Sequence, residues 1–295
     1  MSRDWESTFR LWGQAPSQTE REKCENAERA VRKAIATSSA LVARSINTFA
    51  QGSYANRTNV RQDSDVDICV LCRDVFYYDL PAGVLPESYG ITPASYDYAQ
   101  FKNEVGAALS AYFGYSAVTR GNKAFDVHAN SYRVDADVVP TYEYRRYTSA
   151  SAFIEGIKFI SDNGGEVINW PTQNYDNGVS KNQRTGERFK AIVRIMKRLR
   201  NEMNEAAIGA AKPIPSFLNE CLVWNVPNEG FGHDTYKADV RFVIAHLWNN
   251  TRSVDSCSEW GEINELKYLF RNAQPWTREQ TNTFLQAAWT YIGFE

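Results

Sequence analysis

The chain has 295 residues, 43% of them apolar and 23% charged, with a formal net charge of −2. That length supports one large domain or two lobes with separate cores, and the balanced charge argues against a protein that lives by gripping duplex backbone. No apolar run approaches the ~20 residues of a membrane helix. The opening MSRDWESTFRLW has no apolar signal core, so a cytoplasmic location is expected.

The first strong helix follows a capping box, Ser17-Gln18-Thr19-Glu20, after which Cys24, Ala27, Val31, Ala34 and Ile35 recur at helical spacing. Leu41 to Gln51 reads as a strand, Gly52-Ser53 as a turn, and Asp65 to Cys72 as a second strand. Cys69 and Cys72 form a CxxC, but residues three apart on a strand face opposite ways, so they read as two buried thiols. With Cys24, Cys221 and Cys257 they make an odd, scattered set, which argues against a disulfide framework. Residues 73–95 hold three of the ten prolines and two glycines and read as a loop.

A helix carrying Phe101, Val105, Leu109 and Tyr112 comes next, then short strands at Tyr115–Arg120, Ala124–Ala129 and Tyr132–Val139, the last ended by Pro140. The sheet of this half looks antiparallel. From about Asn169 onward nearly everything is helical. One helix from Asn182 to Met203 presents Phe189, Ile192, Val193, Met196, Leu199 and Met203 as an apolar face, another starts at Pro215-Ser216, and Asp239–Asn249 and Thr277–Tyr291 follow. The expected fold class is therefore α+β. A sheet-based catalytic lobe over 1–168 and a helical lobe over 169–295 should flank a cleft.

The chemistry concentrates around Asp65-Val66-Asp67-Ile68. Asp65 and Asp67 leave one face of a strand, and side-by-side carboxylates repel unless a cation sits between them. Hard oxygen ligands suit Mg²⁺. Asp135 and Asp137 likewise share one strand face, and either can supply a third carboxylate. Two ions so held can clamp both oxygens of an in-line phosphoryl transfer. The Gly52-Ser53 turn, separated from Asp65 by eleven residues, suits close approach of a phosphate to backbone amides. A calcium loop would need a DxDxDG-like run with a distal Glu, which is absent. Lys190, Arg194, Lys197 and Asn201 form one helical stripe, which for Lys190 and Arg194 reads equally well as a solvated face. His128, His233 and His246 have no partner at ligand or triad spacing and read as structural.

The strings QGSYANRTNVRQDSDVDICV, KAFDVHANSYRVDADVVP, NWPTQNYDNGVSKNQRTGERFKAIVRIMKRLRN and KPIPSFLNECLV together resemble the cGAS/DncV-like nucleotidyltransferases of bacterial anti-phage CBASS systems, on the polymerase β-like nucleotidyltransferase fold, and within them the E clade. The resemblance covers nearly the whole chain. It implies that Asp65, Asp67 and Asp137 hold two Mg²⁺ ions, with Mn²⁺ able to substitute, and that Gln51, Gly52, Ser53, Lys197 and Ser216 bind nucleotide. Asp137 is chosen over Asp135 because the family's third Asp directly precedes the VVP element. Asn169 of Asn169-Trp170-Pro171 matches an asparagine associated with accepting a pyrimidine, and it reads alternatively as a turn former. The implied reaction makes a cyclic dinucleotide from UTP and ATP, 3′,3′-cUMP-AMP first and c-di-UMP next. A separate effector protein would read the product, and the enzyme would act as a monomer without duplex DNA or a membrane. Transfer to an RNA 3′ end or a protein acceptor, and a non-catalytic nucleotide-binding module, are the other readings.

Overall fold

The computed structural model describes residues 3–60, 65–271 and 274–295. The chain forms two compact units, one of Ser17–Ala55 and Asp63–Pro171, the other of Met1–Pro16, Asn56–Gln62 and Thr172–Glu295. In chain order the elements are α1 (Trp5–Trp12), α2 (Gln18–Ala36), β1 (Ile46–Gln51), the single turn α3 (Gly52–Ala55), β2 (Val66–Asp79), α4 (Tyr98–Phe113), β3 (Val118–Arg120) and β4 (Phe125–Val127). Then come β5 (Ala136–Ser149), β6 (Ala152–Ile160), β7 (Glu166–Asn169), α5 (Pro171–Arg184), α6 (Arg188–Glu205), α7 (Ser216–Trp224), α8 (Tyr236–Asn250), α9 (Val254–Cys257) and α10 (Arg278–Ile292). The expected α+β class is what the chain adopts.

The first unit is built on one sheet in the order β1-β2-β5-β4-β3, with β6 paired to β5 and β7 to β6. β2 and β5 run parallel, while the other neighbours are antiparallel. The antiparallel-looking sheet expected from the sequence is thus mixed, with β2 and β5 its parallel pair. Between β2 and β5 the chain passes through α4 and the β3–β4 hairpin, a crossover long enough to return in the same direction. α2 opens with the expected capping box, Ser17 and Glu20 each satisfying the other's backbone. Its buried Ala27, Val31 and Ala34, with Phe101, Val105 and Leu109 of α4, cover Val66, Ile68, Val70, Ala136 and Val138 on one sheet face.

Two strands outrun their sequence limits. β2 continues to Asp79 past an irregularity between Cys72 and Phe76, so part of the expected loop is strand. β5 passes straight through Pro140 to Ser149. On the edge away from β2, β4 ends opposite Val138 and β6 begins opposite Tyr142, so Pro140 falls in the gap between them. The Pro140 carbonyl faces that gap, where it accepts from the Tyr98 hydroxyl at 2.8 Å. The missing N–H of proline points the same way and costs no ladder bond.

In the helical unit, α6 is the central element. Phe189, Ile192, Val193, Met196, Leu199 and Met203 are all buried, as their spacing predicts, with Phe9 of α1, Leu222 of α7, Leu247 of α8 and Phe284 of α10. The single helix expected from Asn182 to Met203 is instead α5 and α6. Gly186 and Glu187 between them have φ of 56° and 66°, and successive left-handed residues cannot propagate a right-handed helix. Among the described residues no helix is long and apolar enough to cross a membrane.

Candidate active site

The parallel register of β2 on β5 sets Asp67 directly beside Asp137. On the outer side of β2, Gln51 of β1 is the partner of Asp67, and beyond β5, Asp126 of β4 is the partner of Asp137. Paired residues project from the same face. Gln51, Asp67, Asp137 and Asp126 therefore form one row across four strands. Their strand neighbours Val66, Ile68, Phe125, Val127, Ala136 and Val138 lie in the core under α2 and α4, so the row occupies the opposite face. Asp65 is exposed immediately before β2, two positions from Asp67. Residues 61–64 of the spacer that leads into it lie outside the described residues.

The electrostatics of the row call for positive charge. The Asp137 carboxyl is pushed above its ordinary range, first by desolvation and then by the Asp126 and Asp135 carboxylates. Among the described residues no three His, Cys, Asp or Glu side chains are gathered tightly enough to hold an ion as they stand. Neighbouring like charges push apart without a counter-ion. The donors are all hard carboxylate oxygens beside one strand pair, a set that fits Mg²⁺. Asp65, Asp67 and Asp137 are the residues that would hold it. Asp135 is occupied elsewhere: its carboxylate accepts from the Ala129 N–H at 2.6 Å, and its carbonyl accepts from the Val66 N–H at 3.1 Å. Asp126 is a member of the row that the sequence reading missed. Its signal, Phe125-Asp126-Val127, repeats the apolar–Asp–apolar pattern of Val66-Asp67-Ile68.

Gly52 fixes the approach of α3 to this row. Its φ is +66°, and a Cβ built on it would lie 2.1 Å from Asp67 Oδ2. Ser53 follows, half-buried in the same single turn. Asn169 reaches the same face from the far side of the sheet. It pairs with Ile157 of β6, which in turn pairs with Glu143 of β5, six residues along the strand from Asp137. Ile157 packs with Cys69 and Leu71, two and four residues beyond Asp67 on β2. Trp170, next in sequence, turns to the other side, 5.5 Å from the Tyr144 ring. The CxxC divides as expected, with Cys69 beside Leu71 and Ile157, Cys72 in the core under α2 and α4, and both thiols free.

The remaining expected ligands lie in the helical unit. Ser216 is the first residue of α7, after Pro215. Lys197 of α6 is 1% exposed and ion-paired with Glu220, one turn beyond Ser216 on α7. The spacing of Lys197 alone gave no hint of this buried partner. Removing one member of such a pair strands the other charge. Glu220→Ala is therefore expected to lower unfolding free energy by about 3–5 kcal/mol in a denaturant titration, with Glu220→Gln losing less. Lys190 and Arg194, which could equally have been solvated, are buried at 8% and 7% exposure. His233, which sequence spacing left without a partner, pairs through Nδ1 with the fully buried Asp239 at 2.8 Å.

Residues 176–293 match the family described as the cGAS/DncV-like nucleotidyltransferase C-terminal helical domain. The cyclic dipyrimidine nucleotide synthase CdnE of Legionella pneumophila is 51% identical over 296 residues, covering 99% of both chains. The chain belongs to the cGAS/DncV-like nucleotidyltransferases. The Cecembia lonarensis cyclic dipyrimidine nucleotide synthase CdnE is 44% identical over the full length of both chains. The solved structure of the Rhodothermus marinus CdnE c-UMP-AMP synthase with Apcpp and Upnpp superposes with a TM-score of 0.85 at 32% identity, covering 98% of each chain. The Elizabethkingia meningoseptica CdnE cyclic dinucleotide synthase with GTP and Apcpp gives 0.83 at 34% identity, covering 98% of this chain and 99% of that one. This cGAS/DncV-like nucleotidyltransferase is thus a cyclic dinucleotide synthase of the CdnE kind, as its motifs implied.

Proposed function

We propose that this nucleotidyltransferase makes a uridine-containing cyclic dinucleotide, a cyclic dipyrimidine such as c-di-UMP first and 3′,3′-cUMP-AMP second. This order reverses the one from resemblance alone, because the Legionella and Cecembia relatives, aligned over essentially their whole lengths, are dipyrimidine synthases. The observation that carries the uridine reading is the direction of Asn169, which shares the sheet face of Asp67 and Asp137. An amide donates and accepts at once, so it matches uracil N3–H and O4 together.

Asp65, Asp67 and Asp137 would hold two Mg²⁺, or Mn²⁺ in their place, and these ions when bound supply charge neutralisation at the reacting phosphate. The protein's own groups do the positioning. Gly52 brings the α3 backbone against Asp67, where the Gly52-Ser53 amides and the Ser53 hydroxyl can donate to phosphate oxygens. Gln51 extends the row with a neutral donor and acceptor. Lys197 and Ser216 take the triphosphate tail. In each of two rounds a 3′-oxygen attacks the α-phosphorus in line and pyrophosphate leaves, so that two phosphodiesters close the ring. The product serves a separate effector in bacterial anti-phage signalling. The enzyme works in the cytoplasm as a monomer without duplex DNA.

Asn169→Ala tests the base assignment in a reaction where UTP competes with ATP. Losing two base-edge hydrogen bonds should cut the uridine-to-adenosine ratio in product by about tenfold or more, while total turnover changes only a few-fold. An unchanged ratio removes Asn169 from base selection.

A further inference from the structure

The row of side chains across the sheet continues past the proposed metal ligands. Thr119 of β3 is the partner of Asp126, as Asp126 is of Asp137. Gln51, Asp67, Asp137, Asp126 and Thr119 therefore follow one another across five strands, neighbouring side chains starting about 5 Å apart. Asp126 differs from Asp135, whose carboxylate is taken up by the Ala129 N–H. Among the described residues the Asp126 carboxylate makes no hydrogen bond, and its ion-pair neighbour is His128 Nε2 at 3.6 Å. That ring nitrogen lies nearer the Thr119 hydroxyl, at 3.0 Å. The Asp126 side chain is 49% exposed. It is an accessible acceptor beside Asp137 that the fold itself does not use.

The two ends of the row are chemically different. At one end Gly52 brings the α3 backbone against Asp67, the place proposed for the donor's phosphates. In-line displacement requires the attacking 3′-oxygen to arrive on the side of the α-phosphorus away from the departing pyrophosphate. With the pyrophosphate toward β1 and α3, the acceptor nucleoside enters over β5, β4 and β3. Its 3′-oxygen then faces Asp137, and the adjacent 2′-hydroxyl faces Asp126, one strand further on. A hydroxyl donates and an ionised carboxylate only accepts, so the two match. The 2′-hydroxyl is also the group that separates a ribonucleotide from a deoxyribonucleotide. We infer that Asp126 accepts a hydrogen bond from the 2′-hydroxyl of the acceptor nucleotide and so selects ribonucleotides for the attacking position. The inference rests on the proposed placement of the donor phosphates at Gly52-Ser53 and of Asp137 at the reacting centre.

The test follows formation of a single phosphodiester by the full-length protein with Mg²⁺, scored by mass spectrometry as the linear dinucleotide. A 3′-deoxynucleoside triphosphate lacks the attacking oxygen and serves as donor only. UTP or 2′-deoxy-UTP supplies the acceptor 3′-oxygen, and the same pairing is run in parallel with the adenine nucleotides. Wild type should prefer the ribonucleotide acceptor by about ten- to hundredfold, the worth of one hydrogen bond to a charged group. Asp126→Ala should bring that ratio to within about threefold of unity, by slowing the ribonucleotide acceptor far more than the deoxynucleotide one. Asp126→Asn keeps a carbonyl acceptor and should retain most of the preference. Both variants should fold, since no described partner loses a hydrogen bond, and thermal unfolding checks this. A wild type indifferent to the 2′-hydroxyl, or an Asp126→Ala variant that keeps the full preference, overturns the inference and leaves the proposed reaction intact. No dinucleotide from wild type in either series defeats the proposed reaction, and the inference with it.

Discussion

Asp67→Asn should lower turnover by about 10³-fold without unfolding the protein, and Asp137→Asn should do the same. Both residues sit side by side on the parallel β2–β5 pair, so either change removes one of the charged oxygens that would hold the proposed metal ions. The stability consequence has the opposite sign. A carboxyl that is harder to ionise in the folded chain than in the unfolded one costs stability at neutral pH, a cost that disappears as pH falls below the ordinary carboxylate range. Asp137 is such a group, raised by desolvation and by Asp126 and Asp135. Asp137→Asn should therefore melt at or above the wild-type temperature at pH 7, with the difference vanishing near pH 3. Asp135→Asn, which keeps an acceptor for the Ala129 N–H, should retain activity within about tenfold, since it removes no proposed ligand. Equal losses at 135 and 137 would show that the third ligand is not uniquely Asp137.

Gly52→Ala should be nearly as damaging through a different cause. The new methyl would lie 2.1 Å from Asp67 Oδ2, on a backbone with φ of +66°. Something must shift, and the nearest atom belongs to a proposed metal ligand. The expected result is a loss of about 10²-fold in kcat, since a displacement of about 1 Å costs that much, with destabilisation of about 1–3 kcal/mol from backbone strain. Gly83→Ala separates the two effects. Gly83 has φ of +81° with nothing within 4 Å of a built Cβ, so it should lose stability through strain alone and keep its activity. If Gly52→Ala and Gly83→Ala lose activity equally, the approach of α3 to Asp67 has no catalytic role.

Much of the fold was readable because the signals are local. The capping box at Ser17 and Glu20, the helical spacing of Phe189 to Met203, and the strand alternation of Val66-Asp67-Ile68 each follow from residues within one or two turns of one another. What escaped depends on partners distant in sequence. The parallel pairing of β2 with β5 joins residues about seventy positions apart, and no local pattern distinguishes it from an antiparallel one. Pro140 looks like a strand end because its tolerance depends on where β4 stops and β6 starts. Within the proposed site, Asp65, Asp67 and Asp137 announce themselves by motif. Asp126 joins their row only through the register of β4, and the Lys197–Glu220 pair only through the packing of α6 on α7. The burial of Lys190 and Arg194 belongs to the same class, since a polar stripe on a helix looks solvated until its neighbours are known.

The most direct test of the central claim is an incubation of the purified protein with all four labelled ribonucleoside triphosphates and Mg²⁺, beside an Asp65→Ala/Asp67→Ala control, followed by phosphatase treatment and mass spectrometry. The predicted result is a phosphatase-resistant, uridine-containing dinucleotide with no free end, absent from the control. A product that forms only on an added RNA or protein acceptor, or one that the control makes equally well, would contradict it.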